Sequence, residues 1–348
     1  MDPVTHLVGG LLIGRAFRRP LIAGVWLTIL CGMAAVALDA TYLLTLAGPG
    51  SVLAQYRGLG NTGIATLSVT VVFFLLALPF RGVAPRWGIL LAVFLAALSH
   101  LYLNAFTSTG IQPLAPFTDY RIALGSLWFF DPILLGALLL LFLGPIIFRT
   151  RGLITGWIAL FLLIAYPLGS VGVKQWANRA LFAVPEMETT AGPSAEVQPD
   201  LLSPLFWKVV RKSESAYDVR SFSAVDRSLD QLPVLYEVAP ESLMDRLSSE
   251  SPLVKSFLER THTPIIFRRE GGDTTRLVLA DLCWVSMTPI IRNHQPDGAP
   301  PMSLRVELDV DGKLIDVRKR RLGRYLSFEE LPVSPQAQAN ASQPAASP

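Results

Sequence analysis

The chain has 348 residues, 51% hydrophobic and 16% charged, with a net charge of +3. So small a basic excess excludes binding to nucleic acid through a broad electrostatic surface, and so much apolar material excludes an unstructured chain. Residues 1–180 carry eleven basic and four acidic side chains and the remainder nineteen and twenty-three, the division of a membrane half followed by a soluble half.

Residues 4–14 form a short apolar stretch holding His6, with no positive region ahead of it and Arg15, Arg18 and Arg19 behind it. That order disfavours a cleaved leader and predicts a retained short helix that enters the bilayer without crossing it. Residues 21–47 are apolar apart from Asp39. Four further apolar runs follow. Residues 64–80 and 153–173 hold no ionisable group, 87–106 hold only His100, and 126–148 only Asp131. These runs match the roughly 20 residues that cross a hydrocarbon core about 30 Å thick. The predicted fold class is therefore an α-helical polytopic membrane bundle at 1–180, with about five spans plus an N-terminal half-helix. The two cysteines, Cys31 and Cys283, fall in different halves and imply no disulfide framework.

Arginines set the expected orientation. Arg15, Arg18, Arg19, Arg81, Arg86, Arg149 and Arg151 fall in loops of one face, while loops 48–63 and 107–125 carry only Arg57 and Arg121. The arginine-rich face is assigned to the cytoplasm of a bacterial inner membrane. Everything after about residue 174 is assigned to the extracytoplasmic side.

Residues 181–204, rich in Pro, Ser and acid, read as a linker. Beyond it a mainly-β domain is expected at 205–330, with strands at 206–210, 217–222, 235–238, 265–268, 276–282, 303–310 and 313–318. Asp311-Gly312 is the strongest hairpin turn in the chain. A helix over 241–259, interrupted at Pro252, precedes the later hairpins. The tail 331–348 lacks bulky apolar residues over most of its length and is expected to be disordered. Arg318-Lys319-Arg320-Arg321 reads as a solvated strand end rather than a binding patch.

Ionisable side chains at membrane depth are costly and mark function. Under this topology His6, Asp39, His100, Asn104, Asp119 and Asp131 all approach the outer face. His100 and Asn104 stand four apart and share a helical face. A His paired with a carboxylate at that spacing grips a divalent metal; here the second residue is an amide, a weaker ligand. For each residue a plainer reading competes. A buried His can simply be hydrogen-bonded within the core, and Asp131 before Pro132 suits a helix N-cap. Asp39 has the poorest structural explanation and needs a partner.

The residues resemble a known family, the bacterial membrane-bound metal-dependent hydrolases, one branch of which is described as LexA-regulated inner-membrane proteins. Asp2-Pro3-Val4-Thr5-His6-Leu7-Val8-Gly9-Gly10 is similar to the family's opening, and Asp39 to the acid ending its next helix. Tyr56-Arg57-Gly58-Leu59-Gly60-Asn61 occupies the place of a His-Arg-Gly-x-Thr-His motif. The segment from His100 through Asn104 and Thr107 to Gly110 resembles His-x-x-x-Asp-x-x-Thr-x-x-Gly. Pro116-Phe117-Thr118-Asp119-Tyr120-Arg121 and Phe130-Asp131-Pro132 resemble later segments, as do Trp207-Lys208-Val209-Val210, Phe257-Leu258 and Leu279-Ala280-Asp281-Leu282. The likeness runs to about residue 320. Tyr56, Asn61 and Asn104 replace two histidines and an acid, so of six ligand positions His6, Asp39 and His100 remain.

The resemblance implies a divalent metal, zinc or manganese, held by His6, Asp39 and His100 with Asn104 beside them. It implies catalytic parts for Asp119 and Arg57, and substrate contacts from Arg121, Tyr56 and Asn61. Two functions follow. One is hydrolysis of an ester or phosphoester in a lipid-linked substrate at the outer side of the membrane. The other is a catalytically inactive relative that binds lipid or, through its extracytoplasmic domain, a protein partner. Whether the chain is an enzyme stays open between them. Membrane lipid is the expected partner in either case, and nucleic acid is not.

Overall fold

The computed structural model describes residues 1–17, 23–40, 60–79, 85–148, 152–183, 195–230, 233–259, 261–271, 274–288, 300 and 303–319. Arg18, Arg19, Arg57, Arg81, Arg149 and Arg151, which bear on the orientation, lie outside the described residues, as does the tail 331–348. Two compact units are present: Met1–Tyr42, Tyr56–Leu235 and Ser286–His294 form one, and Leu43–Gln55, Tyr236–Val285 and Gln295–Pro348 the other.

The first unit opens with α1 (Pro3–Phe17). Asp2 caps it, its Oδ1 accepting from Thr5 N at 2.9 Å and its Oδ2 from Thr5 Oγ1 at 2.6 Å, with Pro3 at the first helical position. Next comes α2 (Ala23–Ala37), closed by a 3₁₀ turn at Leu38–Ala40. The two helices approach closely because α1 presents glycines to α2. A Cβ on Gly10 would lie 2.5 Å from Cys31 O, and one on Gly14 would lie 2.7 Å from Thr28 Cα. This is the small-xxx-small contact of membrane helices.

Helices α3 (Gly63–Ala77), α4 (Arg86–Ala105), α5 (Pro132–Ile147) and α6 (Leu153–Ala183) complete the bundle. Thr62 caps α3 by accepting from Ala65 N, and Asp131 caps α5 by accepting from Ile133 N and Leu134 N. The inward face of α4 is close-packed, with Ala92, Val93, Ala96 and Ala97 wholly buried. Pro145 has no N–H to donate to Leu141 O four residues back. Arg15 Nη1 reaches this stretch, donating to Phe142 O at 2.9 Å. At the far end of α6, Ala177 and Leu181 pack against Val197, Trp207, Val209 and Phe222.

The expectation of five full crossings needs correction. Among the described helices two, Arg86–Ala105 and Leu153–Leu181, are long and apolar enough to span a membrane; Gly24–Ala37, Gly63–Ala77 and Pro132–Ile147 are shorter. Helix α5 shows why. Its apolar run starts at 126, but Leu127 bridges to Thr107 and the helix begins only after the Asp131 cap. An apolar run can be a buried loop as well as a helix, and hydropathy does not separate them. A 15-residue helix covers about 22 Å, short of the ~30 Å core.

Within 181–204, expected as a linker, residues 181–183 still belong to α6 and Glu196–Pro199 is strand β1. It pairs antiparallel with β2 (Phe206–Lys212), which pairs with β3 (Ala216–Ser223), beside the short β4 (Ser228–Leu229). β5 (Val234–Val238) follows, its residues from Tyr236 on belonging to the second unit. In that unit α7 (Glu241–Glu250) and α8 (Pro252–Leu258) meet at Ser251, which caps α8 beside the expected break at Pro252. They cover strands β6 (Pro264–Gly271), β7 (Thr274–Asp281), β8 (Ser303–Leu308) and β9 (Leu314–Lys319), all antiparallel. Met244, Leu247 and Val254 from the helices share a core with Leu277, Leu279, Leu304 and Val306. The β8–β9 connection is wider than a two-residue turn. Asp309 Oδ1 accepts from Asp311 N and Lys313 N, and Gly312 takes a φ of +77°.

Candidate functional site: a buried histidine and aspartate cluster

The register of α1 on α2 places the first pair. Gly14 lies against Thr28 and Gly10 against Cys31 and Ala35. A further turn back along α1 is His6, and a further turn on along α2 is Asp39. The antiparallel glycine contact thus carries these two residues toward each other. Helix α4 brings the third member, since Ala92 and Ala96 lead by four-residue steps to His100 and Asn104 on its buried face.

His6, Asp39 and His100 each offer a ligand atom, and these atoms lie within 4.8 Å of one another. The two histidines are fully or almost fully buried, and the rings stack with centroids 4.1 Å apart at 32°. His100 Nδ1 lies 3.1 Å from Ala35 O. A carbonyl only accepts, so this contact assigns the proton to Nδ1 and leaves the Nε2 lone pair toward the interior. Nε2 in turn faces Asn104 Nδ2 at 3.0 Å, whose amide also donates to Asn61 Oδ1 at 2.9 Å. Asn104 Oδ1 accepts from the amino group of Met1. Asp39 Oδ2 stands 3.8 Å from His100 Nδ1, beyond hydrogen-bond range. Both ring nitrogens of His6 and Asp39 Oδ2 are buried without a hydrogen-bond partner among the described residues. Such atoms are rare in folded proteins and ask for a ligand, an ion or a water.

A loop closes this end of the bundle. Ile111 and Ile122 exchange backbone bonds of 2.8 and 2.9 Å, Gln112 N donates to Asn61 O, and Gly63 N donates to Pro113 O. Gly110 holds a φ of +60° where a Cβ would collide with Ile122 O. Thr107 Oγ1 donates to Asn104 O at 2.8 Å.

The remaining sequence-predicted residues are placed differently. Asn61 joins the cluster through Asn104. Arg121 donates to Thr109 O. Asp119 is exposed on the loop and joins no ion pair among the described residues. Tyr56 and Arg57 lie outside the described residues. Asp131 serves as the α5 cap and accepts a further bond from Tyr166 OH at 2.8 Å. Sequence reading missed the carbonyl of Ala35, which carries no side-chain signal. It also missed the Gly10-x-x-x-Gly14 spacing, which did signal a close helix contact.

The donor set of two imidazoles and a carboxylate suits zinc or manganese. The unpartnered atoms of His6 and Asp39 are what such an ion would satisfy, so the residues present fit the group.

The family model for YdjM inner membrane protein matches residues 1–177. No curated protein and no solved structure matches the chain. The chain belongs to the YdjM inner membrane protein family, and the matched region contains the whole cluster.

Proposed function

We propose that this member of the YdjM inner membrane protein family is a membrane-embedded metal-dependent hydrolase acting on an ester or phosphoester of a lipid-linked substrate. The observation that carries the reading is the convergence of His6, Asp39 and His100 within 4.8 Å, with both His6 nitrogens and Asp39 Oδ2 unsatisfied. His6, Asp39 and His100 would hold a divalent cation, which would supply Lewis acidity for an ester or phosphoryl oxygen and a water nucleophilic at neutral pH. Ala35 O holds the His100 ring in its tautomer, as carbonyls beside ligating histidines do. Asn61 and Arg121, together with Tyr56 and Arg57, are proposed to hold an anionic headgroup, and Asp119 to accept the proton.

The bundle is proposed to cross the inner membrane several times. Helices α4 and α6 are proposed to span it, and α2, α3 and α5 to traverse most of its thickness. Chain beyond α6 is then extracytoplasmic by the arginine bias.

The test is elemental analysis of the protein purified in detergent without chelator. Zinc or manganese near one per chain is expected, lost in His100→Ala while the helical circular dichroism persists. Absence of metal from the parent protein would overturn the reading.

One observation favours a second function. Asn104 Nδ2 donates into the His100 Nε2 lone pair that a metal would use. Under that reading the cluster is a closed remnant, and the protein binds lipid or contacts a protein through its C-terminal region. A metal-free parent protein whose His100→Ala variant melts lower supports it.

A further inference from the structure

We propose that the loop from Gln112 to Arg121 inserts its apolar side chains into the headgroup layer of the bilayer, at the end of the bundle that holds the His6–Asp39–His100 cluster. Phe117 is 84% exposed, and Leu114 and Tyr120 are also largely exposed. Exposure of this kind in a loose loop would mean little, but this one is held. The Ile111–Ile122 bridge closes its base, Asn61 and Gly63 bind its backbone, Phe117 N donates to Leu114 O, and Arg121 grips Thr109 O. A backbone so tied, with its largest apolar side chains exposed, displays an apolar surface of the kind that marks a contact site.

The position of the loop identifies the occupant. It leaves the C-terminus of α4, one of the two long spans, and bonds to the first turn of α3. From there Ile64, Leu67, Val71 and Leu75 run down one exposed face of α3. In an inner membrane protein that stripe meets lipid, and the loop adjoins its end at Gly63. Phe117 precedes Asp119 by two residues and Tyr120 stands between Asp119 and Arg121, which sets aromatic bodies beside charged groups, the composition of the membrane–water boundary. Asn61 contacts the loop through its carbonyl and Asn104 through its side chain. A loop seated in the headgroups therefore sets the cluster at headgroup depth, where a ligand arrives by lateral diffusion in the membrane. The proposal rests on the bundle lying in the bilayer and is independent of the metal.

The full chain is reconstituted in vesicles of phosphatidylethanolamine and phosphatidylglycerol. A small environment-sensitive fluorophore is attached at Phe117→Cys and, separately, at Tyr120→Cys. Cys31 and Cys283 are buried, and the parent protein provides the labelling blank. Leu140→Cys, on the exposed side of α5, reports lipid, and Val225→Cys, in the β3–β4 turn, reports water. Quenching by lipids carrying a nitroxide near the glycerol should be several-fold stronger at 117 and 120 than at 225, and iodide quenching correspondingly weaker. If 117 and 120 behave as 225 does while 140 is quenched by the nitroxide, the loop faces water or a soluble partner and the proposal is overturned, with the bundle reading intact. If the 140 probe is itself open to iodide, the bundle reading fails and takes the proposal with it.

Discussion

Asp218 and Asp39 are both largely shielded from water, yet their surroundings differ in kind. In the β region Arg220 holds Asp218 with Nε–Oδ1 of 3.1 Å and Nη2–Oδ2 of 3.2 Å, and Arg211 adds a contact of 3.1 Å. Strand pairing makes this geometry. Arg211 stands directly opposite Asp218 across β2 and β3, and Arg220 lies two residues along the same strand face. In the bundle Asp39 Oδ2 stands 3.8 Å from a histidine nitrogen and has no hydrogen bond among the described residues. One cluster is complete as folded, as buried ion pairs must be. The other is an incomplete set of acceptors, and it is the incomplete one that invites a ligand.

The contrast can be broken by mutation. Asp218→Ala should have the largest effect on stability, since it leaves the Arg220 guanidinium buried without its carboxylate; a loss of about 3 kcal/mol is expected in denaturant titration. Metal content should not change, because the ion pair and the cluster share no residue. If metal is lost as well, the two clusters are not separate. Gly10→Ala comes next. Its new methyl would lie 2.5 Å from Cys31 O, so α1 must shift on α2 at a cost of about 2 kcal/mol. That shift moves His6 from Asp39, and metal retention on a desalting column should fall. The smallest effect is expected from His6→Leu measured with chelator present. Replacing a buried group that lacks partners by an apolar one should raise stability by about 1 kcal/mol. A destabilised variant would mean that His6 is already satisfied without metal, and would side with the closed-remnant reading.

Much of this was legible from residue order. Strands β2, β3, β7 and β8 fall within two residues of their expected bounds because their β-branched and aromatic residues are flanked by turn formers. The helix break at Pro252 follows from its missing N–H. Candidate site residues stood out because histidine and aspartate are rare in apolar runs. The errors are equally specific. β1 was hidden in a Pro-rich stretch, and its place is decided by pairing with β2 rather than by its own propensity. Residues 126–130 were read as membrane helix, but Ser126 N and Leu127 N donate to Phe106 O and the helix begins only after the Asp131 cap.

The amino-acid sequence alone determined that the first half is helical and apolar, that the second is mainly antiparallel strand, and that few ionisable groups lie among the apolar runs. These are properties of composition and short-range periodicity, which act within a few residues. Only the tertiary structure decided that His6, Asp39 and His100 meet while Asp119 stays at the surface and Asp131 serves as a cap. It also decided that, among the described helices, two rather than five have full spanning length. Those outcomes depend on how closely Gly10 and Gly14 let α1 approach α2, and on where loop backbone finds its hydrogen bonds. Both are contacts between separate segments of the chain; the Gly10-x-x-x-Gly14 spacing signals a close approach but names neither its partner nor its register.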